Sequence, residues 1–268
     1  MRVIRSAARM QSFARGCKRR GLRIAFVPTM GALHAGHLSL IRRARSAADV
    51  VVVSIYVNPT QFGPREDLAA YPRTFRRDAT ACRRLGADVL FAPAGLYAAD
   101  HSTWVEETQQ SRGRCGTSRP THFRGVTTVV AKLFNIVLPD VAVFGQKDAQ
   151  QCDVIARMIR DLHFPVRLII SPTTREPDGL AMSSRNRYIT PAERARAPHF
   201  HRALAAAAKL GPSRAATEAR RLLKRQGFRV DYAEVANGRL CAAIFLGKAR
   251  LIDNVPVKGA RSKSADDG

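Results

Sequence analysis

The chain has 268 residues, enough for one large domain or two small ones around a sizeable core. Its 45 Lys and Arg outnumber 21 Asp and Glu to give a net charge of +24, which excludes an acidic disordered chain. No run of apolar residues reaches the length of a membrane-spanning helix, whereas phosphate-bearing ligands, nucleic acid and anionic lipid all suit so basic a chain.

In chain order, the first 23 residues hold eight basic residues and no acid, a composition shared with mitochondrial transit peptides. We read them instead as an amphipathic helix with Ile4, Ala8 and Phe13 on one face, ended by Gly21, because a buried strand follows at once over 23–28. A glycine-bearing turn from Thr29 to His37 opens a helix over Leu38–Ala48. Asp49–Val57 is a second strand; its near-continuous β-branched run implies burial on both faces, as in a parallel sheet. A helix over Phe75–Leu85, a strand over Val89–Ala92, a helix over Val126–Val137 ended by Pro139, a strand over Val141–Phe144, a helix over Ala149–Arg160 and a strand over Val166–Ile170 complete the alternation. Strands alternating with helices predict an α/β fold, a Rossmann-like doubly wound parallel sheet. From Ser171 the character changes to a loop rich in Pro, Asp and Ser, two Arg/Ala-rich helices near 191–209 and 213–226, and short strands near 229–235 and 241–252. The boundary is expected there, with residues 1–170 as a Rossmann-like domain and 171–268 as a smaller α+β domain.

The five cysteines, Cys17, Cys82, Cys115, Cys152 and Cys241, are odd in number and form no CxxC pair, so neither a disulfide framework nor a structural zinc site is expected; reduced thiols fit a cytoplasmic protein. The positive charge is spread along the chain, no nucleic-acid-binding signature stands out, and only 7% of residues are aromatic, so base-stacking platforms have little material. Specific nucleic-acid binding is not expected.

Three motifs carry chemistry. His34 and His37 flank Ala35 and Gly36 where a helix begins, so two imidazoles join free backbone N–H groups and the positive end of the helix dipole. Gly31 and Gly36 let the backbone approach a ligand. Such a site suits nucleotide phosphates, with the imidazoles donating to oxygens that gain charge in a displacement at phosphorus. The second motif is Met182-Ser183-Ser184-Arg185, whose two hydroxyls and guanidinium suit a triphosphate. The third, Gly145-Gln146-Lys147-Asp148, leaves the end of a strand, where Lys147 reaches a phosphate and Asp148 a ribose hydroxyl. Their order matches the outline of the HxGH nucleotidyltransferase fold.

Five longer strings narrow the match: VPTMGALHAGHLSLIRRAR, VNPTQFGPREDLAAYPRTFRRD, HFRGVTTVVAKLFNIVLPDVAVFGQKDAQQ, REPDGLAMSSRNRYIT and KARLIDNV. Together they span roughly residues 24 to 254, and in them the chain closely resembles the pantoate–β-alanine ligases. The resemblance implies an AMP-forming ligase that condenses pantoate with β-alanine to pantothenate, through an enzyme-bound pantoyl adenylate, with release of pyrophosphate. It implies that His34 and His37 are the catalytic pair, His37 as proton donor. The loop Met30, Gly31, Ala32, Leu33, His34, Ala35, Gly36, His37 would hold ATP, with Gly145, Gln146, Lys147, Asp148, the Thr174 backbone, Met182, Ser183, Ser184 and Arg185. Gln61 and Gln151 would bind pantoate, with Gln61 also beside β-alanine. It further implies Mg²⁺ held through ATP phosphates without a dedicated protein ligand, a homodimer, and a cytoplasmic location. The alternatives are another small-molecule nucleotidyltransferase, or a basic nucleic-acid-binding protein retaining the fold. The chain departs from the family in Ala35 and Gln146, where Glu is common. It departs again in Thr121, where Gly is usual, which opens a different path to the 119–123 loop, and in a shortened segment between Val235 and Leu240.

Overall fold

Val50, Val51, Val52 and Val53 are all buried, on both faces of one strand, as an unbroken β-branched run requires of a sheet covered on each side. They come from a computed structural model that describes residues 1–260 apart from Arg65 and Asp67. In chain order its principal elements are β1 (Arg2–Ile4), α1 (Ala7–Arg19), β2 (Ile24–Thr29), α2 (Ala35–Arg45), β3 (Val50–Ile55), α3 (Phe75–Arg84), β4 (Val89–Phe91), α4 (Arg114–Ser118), α5 (His122–Val137), β5 (Val141–Gly145), α6 (Ala149–Asp161), β6 (Arg167–Ser171), α7 (Pro191–Arg196), α8 (Pro198–Ala207), α9 (Pro212–Arg225), β7 (Arg229–Ala236), β8 (Arg239–Leu246) and β9 (Ala249–Pro256).

They form two compact units. The first comprises Met1–Ser111, Arg119–Gln146 and Gln151–Pro172. Its six strands are all parallel, in the order β1-β4-β3-β2-β5-β6. From β2 the chain winds outward through β3 to β4; from β5 it winds the opposite way to β6. The direction therefore reverses between β2 and β5, whose carboxyl ends are Thr29 and Gly145, and such a reversal leaves a crevice at the strand ends. Successive residues of β2 face opposite ways: Phe26 packs with Phe91 and Phe134, Val27 with Ile41 and Leu90.

Three strands of this sheet begin with the same dipeptide, Asp49-Val50, Asp88-Val89 and Asp140-Val141. Each aspartate accepts a backbone N–H from the start of a neighbouring strand: Asp49 from Arg23 at 2.8 Å, Asp88 from Val51 at 2.8 Å, Asp140 from Ile24 at 2.7 Å. The first N–H groups of inner strands lack partners of their own, and these carboxylates supply them.

The amino-terminal segment differs from the expectation. Residues 2–4 form an edge strand beside β4, so Ile4 is buried in the sheet and not on a helix. The face of α1 that packs inward is Met10, Ala14 and Cys17, with Ala8 exposed. The helix expected from Val126 starts earlier, at His122.

The second unit comprises Arg112–Ser118, Lys147–Gln150 and the chain from Thr173. A single boundary near 171 assigns the two short segments to the first domain; their packing groups them with the second. The core is Phe200, Leu204, Leu223, Leu240 and Ile244, under the antiparallel sheet β7-β8-β9. Asn237 and Gly238, at φ 47° and 75°, make the two-residue turn between β7 and β8. Positive φ at both positions is what the twist of a tight hairpin demands, and Asn-Gly provides it. The strand expected over 241–252 is instead two, turned at Gly247 with φ 56°. The long helix expected over 191–209 is broken at Pro198, whose ring cannot continue the preceding helix but suits the first turn of α8.

Replacing Asp140 by Ala should lower unfolding free energy by about 1–2 kcal/mol, because the fully buried Ile24 loses its charged acceptor. Urea unfolding reads this as a lower midpoint at unchanged slope; an unchanged midpoint would refute the anchoring role.

Candidate active site

Strand β2 ends at Thr29, whose hydroxyl donates to the Ser54 carbonyl at 2.6 Å and accepts from the Gly31 N–H at 3.1 Å. The chain then turns sharply through Gly31 at φ 83° and Ala32 at φ 52°. Gly31 is required twice over. Its φ is left-handed, and a Cβ there would stand 3.0 Å from the Ile55 side chain and 3.2 Å from the Asp78 carboxylate. Ala32 tolerates the same region only under restraint. That restraint is Asp78, in the first turn of α3 and 1% exposed: Oδ2 accepts the Ala32 N–H and Oδ1 the Leu33 N–H, each at 2.9 Å, while the Thr74 hydroxyl donates at 3.0 Å.

The turn delivers His34 to the N-cap of α2 and His37 to its third position. Nδ1 of His34 accepts the Gly36 N–H at 3.2 Å, and Nδ1 of His37 accepts the His34 N–H at 3.4 Å. The two histidines thus make the reciprocal capping arrangement usually built from Ser or Thr and Glu. A neutral imidazole that accepts at Nδ1 carries its hydrogen on Nε2. Both rings are therefore set as Nε2–H donors, with centroids 4.2 Å apart. No acid lies in the first turn of α2 to oppose an anion there.

Gln61 closes a single 3-10 turn, Pro59–Gln61. Its Oε1 accepts from Asn58 Nδ2 at 3.1 Å, and its Nε2 lies 3.2 Å from Met30 Sδ, so the structure brings Gln61 to the turn after β2. Asn58 is 1% exposed and also donates to the Gly125 carbonyl at 3.1 Å. At Gly125 a Cβ would collide with the Thr60 carbonyl oxygen and stand 2.7 Å from the Gln61 nitrogen, so only glycine lets α5 come this near. Gly145 ends β5, and Gln146 begins the following half-buried turn. Gln151 is half-buried on α6. Thr121 takes φ −94° and ψ −6°, a conformation open to any residue, so the exchange from glycine strains nothing.

In the second unit Lys147 Nζ pairs with Asp148 at 3.2 Å, and the Lys147 carbonyl accepts from Asn254 Nδ2 at 3.0 Å. The segment 174–182 folds back on itself: the Thr174 carbonyl accepts the Met182 N–H at 3.0 Å, Arg175 bridges to Ala181, and Gly179 turns at φ 96°. Ser183 caps the 3-10 turn Ser184–Tyr188 by accepting the Arg185 N–H at 3.2 Å. Arg175 forks onto Asp253 at 2.7 and 2.9 Å, and His201 Nδ1 lies 3.3 Å from the same carboxylate. Burial alone would raise the pKa of Asp253; His201 and Arg175 outweigh it and hold the carboxyl below its usual range.

All five cysteines are buried. Burial, reinforced by nearby Asp78, pushes the Cys82 thiol up to about 11, so it is no nucleophile at neutral pH. Among the described residues, no group of three or more His, Cys, Asp or Glu side chains is disposed to hold a metal, and no helix is long and apolar enough to cross a membrane.

A sequence model of the family described as pantoate-beta-alanine ligase matches residues 2–256. The chain belongs to the pantoate–β-alanine ligase family. It is an enzyme of that activity, joining pantoate to β-alanine with ATP. Among relatives of this ligase, pantothenate synthetase from Geobacter sulfurreducens is 50% identical over 276 residues, covering 95% of this chain and 98% of that one. The Moorella thermoacetica enzyme is 48% identical over 277 residues, covering 95% and 98%. The crystal structure of pantothenate synthetase from Thermus thermophilus superposes with a TM-score of 0.88 at 40% identity, covering 96% of this chain and 99% of that one. That of the Francisella tularensis ligase, described as complexed with beta-gamma ATP and beta-alanine, gives 0.86 at 35% identity, covering 96% and 97%.

Sequence reasoning singled out the two histidines and Gln61 but not the groups that hold them. Asp78 carried a signal, as the sole acid between Arg73 and Arg84. Asn58 stands three residues before Gln61 in the sequence, with nothing local to mark it as the group that holds the amide. Asp253 had no local signal, since its partners come from 175 and 201.

Replacing Asp78 by Ala should cost about 2–3 kcal/mol by leaving two buried N–H groups without an acceptor, and should raise KM for ATP. Asp78→Asn, keeping one acceptor, should lose less. Thermal unfolding with steady-state kinetics checks this; lost stability at unchanged KM would separate the turn from nucleotide binding.

Because the folded pKa of Asp253 is depressed, its stabilisation is complete above the ordinary carboxylate pKa and fades as pH falls through the folded value. Asp253→Asn should therefore be less stable than the native chain by about 3 kcal/mol at neutral pH, with the gap narrowing below about pH 4. A gap independent of pH would overturn the assignment.

Proposed function

We propose that the ligase works in two displacements through an enzyme-bound pantoyl adenylate. A carboxylate is a poor electrophile for an amine. In the first step the pantoate carboxylate oxygen attacks the α-phosphorus of ATP, a P–O bond forms, and the bond to pyrophosphate breaks. In the second the β-alanine amine attacks the acyl carbon, a C–N bond forms, the C–O bond to the phosphate breaks, AMP departs, and the amine releases a proton to solvent. Both steps gather reactants and shift negative charge onto phosphate oxygens, so positioning and preorganised donors carry the rate.

The observation that supports this most is the pair of backbone N–H contacts to Nδ1 of His34 and His37 at the start of α2. Nδ1 of each ring is engaged by the backbone of α2, which leaves Nε2–H as the donor. His34 and His37 then donate hydrogen bonds to charge on the phosphates without rotating into place, with His37 in the position that the resemblance assigns to the proton donor. Met30 through His37, Gly145, Gln146, Lys147, Asp148, Thr174 and Met182 through Arg185 take the ATP contacts that the resemblance assigns. Gln61 and Gln151 bind pantoate: each amide offers a donor and an acceptor to a hydroxy acid. The resemblance also implies Mg²⁺ with ATP, which would be held through phosphate oxygens and water. The same resemblance supports a homodimer and a cytoplasmic enzyme.

The test combines omission and isotope transfer. With ATP, Mg²⁺, pantoate and β-alanine all present, AMP and pyrophosphate should form together with pantothenate. Pantoate labelled with ¹⁸O in its carboxylate should pass one label to AMP and none to pyrophosphate; unlabelled AMP would exclude the adenylate. His37→Ala should slow adenylation by roughly 10²-fold or more, the scale of losing one preorganised donor. A defect confined to ATP affinity would refute its role in the step.

A further inference from the structure

Gln61 is gripped by its side chain through Asn58 and also by its backbone carbonyl. His122, in the first turn of α5 and 9% exposed, places Nδ1 2.8 Å from the Gln61 oxygen. Its Nε2 lies 3.1 Å from Nη1 of Arg119. Arg119 Nη2 donates to the same Gln61 oxygen at 3.2 Å, and its remaining edge forks onto Glu66 through Nε and Nη2.

Only one proton arrangement satisfies these contacts. A carbonyl oxygen only accepts, so Nδ1 of His122 carries a hydrogen. A guanidinium only donates, so Nε2 of His122 is bare and accepts. His122 is thus neutral in the Nδ1–H tautomer, opposite to that of His34 and His37. Glu66 fixes the plane of the guanidinium by bidentate pairing. Burial works to raise the Glu66 pKa, and the hydrogen bond and charge of Arg119 more than reverse it, so the carboxylate stays ionised.

We propose that Arg119 and His122, braced by Glu66, are positioning residues for Gln61: they lock its peptide carbonyl so that the side-chain amide presents a fixed donor and acceptor to the acid substrate. Neither is assigned to touch substrate. The proposal rests on the reading of Gln61 as the pantoate and β-alanine contact. It deepens that reading by naming what sets the amide's orientation. The backbone grip acts on the carbonyl side of the residue, Gly125 admits the nitrogen side, and Asn58 holds the amide, so Gln61 has no rotation left that keeps all three.

Two measurements test it. In protein labelled with ¹⁵N-histidine, the His122 resonances, identified by their loss in His122→Asn, should report the Nδ1–H tautomer of a neutral ring. An Nε2–H or doubly protonated ring at neutral pH would overturn the clamp, whatever the substrates do. In steady-state kinetics His122→Ala should raise KM for pantoate about tenfold, with KM for ATP within about twofold, as expected for loss of roughly one hydrogen bond's orientation. His122→Asn places an amide N–H where Nδ1–H stood and should restore most of the loss. His122→Gln, whose longer chain carries the amide toward the Nε2 position, should not. Equal defects in Asn and Ala variants, or a matching rise in KM for ATP, would overturn the proposal. Gln61→Ala, measured alongside, separates the two ideas. If it leaves KM for pantoate unchanged while His122 shows the expected tautomer, the substrate role of Gln61 fails and the clamp stands as architecture only.

Discussion

The backbone N–H groups of Ala32 and Leu33 leave the end of β2 with no strand to receive them, in a turn where two successive residues hold positive φ. The Asp78 carboxylate takes both. Without that acceptor the turn would relax toward ordinary φ values, and His34 would not arrive at the N-cap of α2 in the extended conformation a cap needs. The cap then sets the ring tautomers, and the tautomers decide which nitrogen can donate. A buried acid on α3, which needs no contact with substrate, thus stands at the head of a sequence of constraints that ends in the chemistry.

The second unit repeats the device with a different pairing. Arg175 lies at the base of the segment that leads to Ser183 and Arg185, and it is tied to β9 through Asp253. A flexible, serine-rich stretch would lose much conformational entropy on ordering around a phosphate. Anchoring its base shortens the part that must be ordered. Asp49, Asp88 and Asp140 do comparable work at strand starts. These acids are committed to particular backbone groups or to a particular arginine, whereas Arg214, Arg221, Lys224 and Arg225 on α9 are exposed. The net charge of +24 thus combines few acids, several of them architectural, with many cations on the surface.

Much of the first unit was legible. The β-branched run at 50–53 required burial on both faces, and strand–helix alternation required a parallel sheet. The HxGH histidines announced themselves by falling where a strand gives way to a helix. Three features were not legible, for physical reasons. The edge strand Arg2–Ile4 is three residues long and adjoins a helix, so periodicity cannot separate them. The split of the last strand depends on Gly247 turning a hairpin, and glycine is permitted many conformations. Gly125, His122 and Asp253 hold the site across tens of residues of sequence, and local pattern carries no record of such distances. The Asp-Val dipeptide is the exception: it stands four times in the chain, and only the structure separates the three at strand starts from Asp153-Val154 within α6.

The histidine pair at the start of α2 has a consequence for substitution. Each ring must offer an acceptor toward the helix backbone and a donor toward the opposite side, at once and on one rigid plane. Asparagine supplies the near-side acceptor but its amide nitrogen falls short of the far side. Glutamine reaches the far side but turns away from the backbone. Serine and threonine cap the helix and end there. Among the twenty side chains only imidazole is two-faced at this scale. The motif is therefore a demand for a bifunctional spacer, and any exchange at either position disturbs the neighbouring ring as well as removing its own.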